Sequence, residues 1–292
     1  MSFFEEKYSE YQTFFDIELN KFYKQFDCKP EILSESLKYS LQIGGKRIRP
    51  VLMLAVGELL GVERKKLINF AIALELIHTY SLIHDDLPEM DNDDFRRGKP
   101  SNHKVFGVGN AVLAGDGLLN TAYSVLFGEC FNGEEYISAA KFICDCAGIR
   151  GMIAGQSADL LYENKQEVNE AILNFIYENK TAKLIIASVI VPSILSGGKF
   201  YSELLSFGKD LGFMFQITDD ILDVEGNFES LGKSIGKDKD EGKLTSVWLY
   251  GLDRCKLKAD LLMDNCLKLL ESFKDNTEFL RELTYFVRQR IH

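Results

Sequence analysis

Residues 67–86 read LINFAIALELIHTYSLIHDD. From Leu67 to Ile83 the segment is apolar on nearly every side, with Glu75 and His78 as the main interruptions. A helix that is apolar all round belongs in the middle of a bundle. It ends in His84-Asp85-Asp86, and Pro88 follows, a residue that stops a helix. A central helix running from deep core into carboxylates predicts a deep pocket with a charged mouth.

The flanking sequence extends the pattern. Prolines occur only at 30, 50, 88, 100 and 192. Between these breakers the apolar spacing favours helices, as at 167–190 and 204–224. No sustained two-residue alternation with hairpin signals is found. The expected class is all-α, with roughly ten or more helices of ordinary length. With no repeat, composition shift or linker, residues 1–292 are expected to form one domain.

The 292 residues are 46% hydrophobic and 27% charged, enough for one large core and too apolar for a disordered chain. Net charge is −10, and no long basic run offsets it, which argues against a nucleic-acid or anionic-membrane binder. The longest apolar stretch, 184–195, is broken by Pro192 and is too short to span a bilayer. No stable membrane insertion is expected. The opening MSFFEEK lacks the basic and apolar regions of a cleaved leader, so a cytoplasmic protein is expected. The six cysteines form no C-x-x-C pair and are expected as buried free thiols.

Two acidic clusters carry the chemistry. The first is DDLPEMDNDD at 85–94, followed by FRRGKP; the second is QITDDILD at 216–223. Gln216, Asp219, Asp220 and Asp223 fall on one face of a helix. Their neighbours Phe213, Met214, Phe215, Ile217, Ile221 and Leu222 make a merely solvated stripe a poor explanation. Hard-cation binding explains it better. Mg²⁺ is commonly held by one or two carboxylates, with water and substrate phosphate completing its shell. Such ions let an acidic protein bind a polyanion. A calcium loop starting at Asp91 fails, because Phe95 falls on a ligand position and Arg96 on the required glycine. A nucleotide P-loop at 226–234 fails too, having five residues between its glycines rather than four.

Basic residues accompany the clusters. Lys46, Arg47 and Arg49 lie in GGKRIRP, and Arg96, Arg97 and Lys99 follow the first cluster. Lys180-Thr181 sits on an expected helix, and Lys233, Lys237 and Lys243 follow the second cluster. Each alone reads as surface charge. Together, arginine forks beside carboxylates suit a metal-bridged diphosphate.

GGKRIRP (44–50), DDLPEMDNDDFRRGKPSNH (85–103), GQSADL (155–160), KTAKL (180–184), FQITDDILD (215–223) and GKSIGKD (232–238) resemble, in this order, the motifs of the trans-prenyl diphosphate synthases. The bacterial short-chain group is the most similar. The resemblance implies an isoprenoid-synthase-type helical bundle around a large central cavity, normally a homodimer. It implies an Mg²⁺-dependent 1′-4 condensation of isopentenyl diphosphate with dimethylallyl and then geranyl diphosphate, giving farnesyl diphosphate. Roughly three Mg²⁺ per site are implied, with Mn²⁺ as a substitute.

By the same resemblance, Asp85 and Asp91 hold Mg²⁺ with Asp86 in support, and Asp219, Asp220 and Asp223 hold a further ion. Lys46, Arg49, His78 and Arg97 bind isopentenyl diphosphate. Arg96, Lys180, Thr181, Gln216, Lys233 and Lys243 line the allylic diphosphate, and Gln156 lies near the pocket. Arg96, Lys180 and Lys233 stabilise the departing diphosphate, while the dipoles of Thr181 and Gln216 face the carbocation. The departing diphosphate takes the proton, and His84 is a helix-end structural residue. Tyr80 and Ser81, five and four positions before Asp85, set the product length; Tyr80 resembles the farnesyl-producing type.

The sequence departs from the family at Asn92, where many relatives keep an aspartate run, and at Leu244-Thr245-Ser246, where relatives often have Thr-Tyr-Pro. Geranylgeranyl or geranyl diphosphate synthases are the nearest alternatives. A terpene cyclase is disfavoured by Asp219-Asp220-x-x-Asp223 and by GGKRIRP. An inactive regulatory subunit could dispense with residues that are all present here.

Overall fold

The computed structural model describes residues 2–163, 165, 169–225, 242–273 and 277–289. Helices dominate, as expected. In order they are α1 (Phe3–Phe22), α2 (Glu31–Gln42), α3 (Ile48–Leu60), α4 (Arg64–Asp85), α5 (Asn102–Phe106), α6 (Val108–Glu129), α7 (Glu134–Ala147), α8 (Met152–Tyr162), α9 (Glu170–Ile176), α10 (Lys183–Leu195), α11 (Tyr201–Glu225), α12 (Ser246–Tyr250), α13 (Leu252–Leu270) and α14 (Glu278–Gln289). A π-helical turn, Tyr177–Ala182, joins α9 to α10.

Local chemistry accounts for the ends. Ser2 and Glu5 form a reciprocal capping box at the start of α1, with hydrogen bonds of 3.2 and 2.7 Å. The buried face of α1 is Tyr11, Phe15, Leu19 and Phe22, a three-to-four-residue spacing that seats one stripe against the core.

Helix α4 is central, as its composition predicts. It packs on α3, α6 and α10. It is the one described helix long and apolar enough to cross a membrane, but 72% of that window is buried inside the protein. A second helix is as deeply placed. Leu184 to Ser193 on α10 are all buried. Pro192 lies inside the last turn of α10, where it denies the Ser188 carbonyl its helical donor.

Close helix contacts use small residues. A Cβ at Gly115 of α6 would lie 2.0 Å from the His84 ring. That ring also meets the Val112 carbonyl at 3.1 Å, so His84 ties the end of α4 to α6. At Gly212 of α11 a Cβ would lie 2.5 Å from that of Ala182.

Two details depart from expectation. A short antiparallel ribbon pairs β1 (Phe95–Arg96) with β2 (Lys99–Pro100). Its two turn residues, Arg97 and Gly98, have φ of 53° and 74°, the geometry of a tight hairpin. The cysteines are free, but only Cys146, Cys255 and Cys266 are buried; Cys28 is exposed, and Cys130 and Cys144 are half-buried.

Candidate active site

The first aspartate cluster folds back on the end of α4. The Asp91 N–H donates to the Asp85 carbonyl at 2.8 Å, and the Asn92 N–H donates to that of Leu87 at 3.0 Å. Asn92 takes a left-handed φ of 49°, which asparagine tolerates better than most residues. The turn thus sets Asp91 beside Asp85. Desolvation lifts the Asp85 carboxyl to about 6, and the Asp91 and Asp86 charges add to it against Lys180 and Arg96. Burial also pushes Asp91 upward. Lys243, at 3.0 Å, together with Lys180 and Arg96, outweighs that and leaves Asp91 below its ordinary value.

The ribbon aims two arginines. Arg96 turns inward, where Nε donates to Asp86 Oδ1 at 2.9 Å and Nη2 donates to Asp86 and Asp93. Arg97 turns the other way and donates to the Gly44 carbonyl. Its guanidinium lies against Gly45, where a Cβ would come within 2.5 Å of Cζ. Gly45 has φ +135°, so that site favours glycine on two grounds.

His78 sits half-buried on α4, three residues above Ser81. Desolvation, with Arg49, Arg97, Arg96 and Arg47 around it, holds the imidazole well below its usual pKa. It is therefore a neutral donor at pH 7. Arg49 lies over the Phe215 ring at 6.0 Å, and Lys46 lies over Phe286 of α14 at 5.2 Å.

The opposite wall is built from α8, the π-helical turn and α11. Lys180 Nζ pairs with Asp159 Oδ2 at 2.5 Å, and its charge also couples to Asp85 and Asp91. Thr181 Oγ1 donates to Gln216 Oε1 at 2.6 Å, and Gln216 Nε2 donates to Asp220 Oδ1 at 3.0 Å. At Gly155 of α8, a Cβ would lie 2.1 Å from the Lys180 backbone nitrogen. Backbone cannot swing aside as a side chain can. Gly155→Ala is expected to cost about 1–3 kcal/mol in urea unfolding and to lower turnover by shifting Lys180.

The acidic stripe of α11 divides. Asp220 is buried. Its Oδ2 accepts from the Tyr177 hydroxyl, from the Ser246 N–H at 2.7 Å and from Ser246 Oγ at 2.8 Å. Burial lifts this carboxyl to about 7 against those hydrogen bonds. Asp219 remains half-buried beside it, and Asp223 is buried one turn on. Asp220 is thus engaged by Tyr177, Ser246 and Gln216, Asp86 by Arg96 and Asp91 by Lys243. Asp85 and Asp219 are half-buried carboxylates of the two clusters.

Lys233 and Lys237 lie outside the described residues, as does the GKSIGKD motif. Among the described residues no three histidine, cysteine or carboxylate side chains gather closely enough to cage an ion. A dedicated cage is not what Mg²⁺ requires, because substrate oxygens complete its shell. The hard carboxylate oxygens of the two clusters suit it. Gln156 is half-buried, but its side-chain amide nitrogen and oxygen are both buried without a hydrogen bond, which suits a site completed by a polar ligand.

With this geometry in place, comparison with known proteins is direct. The family model described as polyprenyl synthetase matches residues 30–283. The chain belongs to the polyprenyl synthetase family. A farnesyl diphosphate synthase of Micrococcus luteus is 44% identical over 88% of this chain and 89% of its own length. A geranylgeranyl pyrophosphate synthase of Arabidopsis thaliana is 39% identical over 90% of this chain and 72% of its own. The crystal structure of a Helicobacter pylori geranyltransferase, complexed with magnesium and isoprenyl diphosphate, superposes with a TM-score of 0.81 at 33% identity, covering 95% of this chain and 96% of that one. As a polyprenyl synthetase the chain is a prenyltransferase, the class its motifs imply.

Three site residues of this polyprenyl synthetase escaped the motif reading. Asp159, the partner of Lys180, lies three positions after Gln156 in GQSADL, one helical turn away. Tyr177 lies three before Lys180, and Ser246 is the departure noted after Lys243. Nothing in either position marks it as a partner of Asp220.

Proposed function

We propose that the protein condenses isopentenyl diphosphate with dimethylallyl and then geranyl diphosphate, releasing farnesyl diphosphate. The observation that carries this is the facing of Asp85 and Asp91 by Lys180 and Lys243. Lys243 pairs with Asp91 at 3.0 Å, and the charge of Lys180 couples to both Asp85 and Asp91, at the end of the apolar central helix.

Asp85 and Asp91 would hold Mg²⁺ on one side, and Asp219 with Asp223 on the other. When bound, the ions neutralise charge on the diphosphate as its C–O bond breaks. Lys180 adds positive charge on the same side, with Arg96 held near it by Asp86 and Asp93. Thr181 and Gln216 hold each other, so their dipoles are preoriented beside the reacting carbon. Lys46, Arg49 and Arg97 bind the isopentenyl diphosphate, and neutral His78 donates to it. The departing diphosphate accepts the proton lost from the new double bond. Lys233 belongs to this proposal on its motif alone.

A homodimer is part of the same proposal. Leu113 and Phe127 on α6, and Phe131 just beyond it, are 56%, 70% and 85% exposed. The rings of Phe127 and Phe131 meet edge-on at 6.1 Å. A second copy would cover this apolar row. A single domain and a cytoplasmic location complete the proposal.

Purified protein given Mg²⁺, isopentenyl and dimethylallyl diphosphates is expected to make mainly a C15 alcohol after dephosphorylation, read by chromatography. EDTA should abolish turnover and excess Mg²⁺ should restore it. A C20 product would favour the geranylgeranyl alternative, which the plant relatives suggest. Absence of any condensation product would defeat the proposal.

A further inference from the structure

The most buried cation of the GGKRIRP turn is one that the motif resemblance assigns to no substrate. Arg47 is 5% exposed and its partner Glu75 2%. Arg47 Nη1 donates to Glu75 Oε1 at 2.7 Å, Nη2 to the Leu41 carbonyl at 2.7 Å, and Nε to Asp16 Oδ1 at 3.2 Å. Its backbone is left-handed, with φ 50° and ψ 35°, a conformation that a side-chain-bearing residue adopts only when its surroundings demand it. Glu75 stands on α4, three residues before His78.

Helix α1 completes the arrangement. The Tyr8 hydroxyl donates to the Lys46 carbonyl, Gln12 Nε2 donates to the Gly45 carbonyl at 3.0 Å, and Asp16 accepts from Arg47. Tyr8, Gln12 and Asp16 are spaced by four and form one row on the helix. That row addresses three consecutive residues of the turn.

Stability alone does not explain such a pair. An apolar pair of similar volume generally serves a core at least as well as buried opposite charges do. A forked, directional contact does specify where the backbone lies. We infer that Arg47 and Glu75, with the Tyr8–Gln12–Asp16 row, act as a positioning clamp: they touch no substrate but fix the turn so that Lys46 and Arg49 point at the isopentenyl diphosphate. This rests on the proposed assignment of Lys46 and Arg49.

The test is the double variant Arg47→Met/Glu75→Leu, which removes both charges together. Its urea midpoint is expected to fall because the Leu41 carbonyl loses its donor, but to stay above that of Arg47→Met alone, which also strands buried Glu75. Its KM for isopentenyl diphosphate should rise ~10-fold or more, because small misplacements of binding groups are costly. KM for dimethylallyl diphosphate and kcat at saturating isopentenyl diphosphate should change by less than about threefold. A folded double variant with the parent's isopentenyl KM overturns the clamp. Should that variant fail to fold, Tyr8→Phe/Gln12→Leu removes two contacts from a surface helix. It is expected to raise the same KM by about threefold, the loss of a modest hydrogen bond, and an unchanged KM again overturns the clamp. Lys46→Ala and Arg49→Ala separate the two levels. If they leave the isopentenyl KM unchanged, the subsite assignment fails and the clamp with it. If they raise it while the double variant does not, the clamp alone fails.

Discussion

Asp85→Ala and Asp219→Ala are each expected to lose at least ~10³-fold in kcat while remaining folded. Asp85 ends α4 and Asp219 stands on α11, so losing either removes one side of the proposed metal-bridged diphosphate. Stability should move the other way for Asp85. Its native carboxyl is lifted to about 6 from 3.8, chiefly by desolvation. An acid with a raised native pKa binds protons more tightly folded than unfolded, so it costs stability as pH rises through that interval. At pH 7 Asp85→Ala should therefore melt at or above the parent's temperature. The advantage should fade as pH falls below the ordinary carboxylate value. Circular dichroism against pH and steady-state kinetics check both halves. Substantial Mg²⁺-dependent turnover in either variant would undo the metal assignment.

Product length should shift in opposite directions in two variants one residue apart. Ser81 stands one turn below Asp85 on nearly the same face of α4, about 6 Å along the axis. Its hydroxyl is turned back to the His78 carbonyl at 2.9 Å. Ser81→Phe places a ring in the path of a chain anchored at Asp85, and C10 product is expected to dominate. Tyr80 is 6% exposed and meets the His84 ring edge-on at 5.7 Å. Removing that ring would open space beside the turn of α4 that leads to Asp85. Tyr80→Ala should yield C20, with a stability loss of about 3 kcal/mol for the cavity. Chromatography of dephosphorylated products reads both. C15 from both variants would show that neither residue limits the chain.

The helical class and the central place of α4 were legible because both follow from local regularities, proline spacing and an all-round apolar surface. Motif spacing gave the two acidic walls for a similar reason. What remained hidden depends on partners distant in sequence. Asp219 and Asp220 share a helical face by simple counting, yet they point about 100° apart around the axis. Asp220 thereby meets Tyr177 and Ser246, whereas Asp219 stays half-buried. The ribbon at 95–100 was missed because Arg97 holds a left-handed position that asparagine or glycine normally signals. The depth of α10 was missed because its apolar run resembles many buried segments. The role of Arg47 was obscured by two neighbouring cations of the same charge.

The wide turn at 177–182 has a consequence for how this wall can vary. It carries Tyr177, Lys180 and Thr181 together, because a helix taking an extra residue per loop spreads its side chains differently from a regular one. Deleting that one extra residue would regularise the coil and leave the ten interior positions of α10 in phase with their neighbours. What would change is the local fan of Tyr177, Lys180 and Thr181. The irregular turn is thus the place where this wall can be remodelled without disturbing the buried rod beyond it.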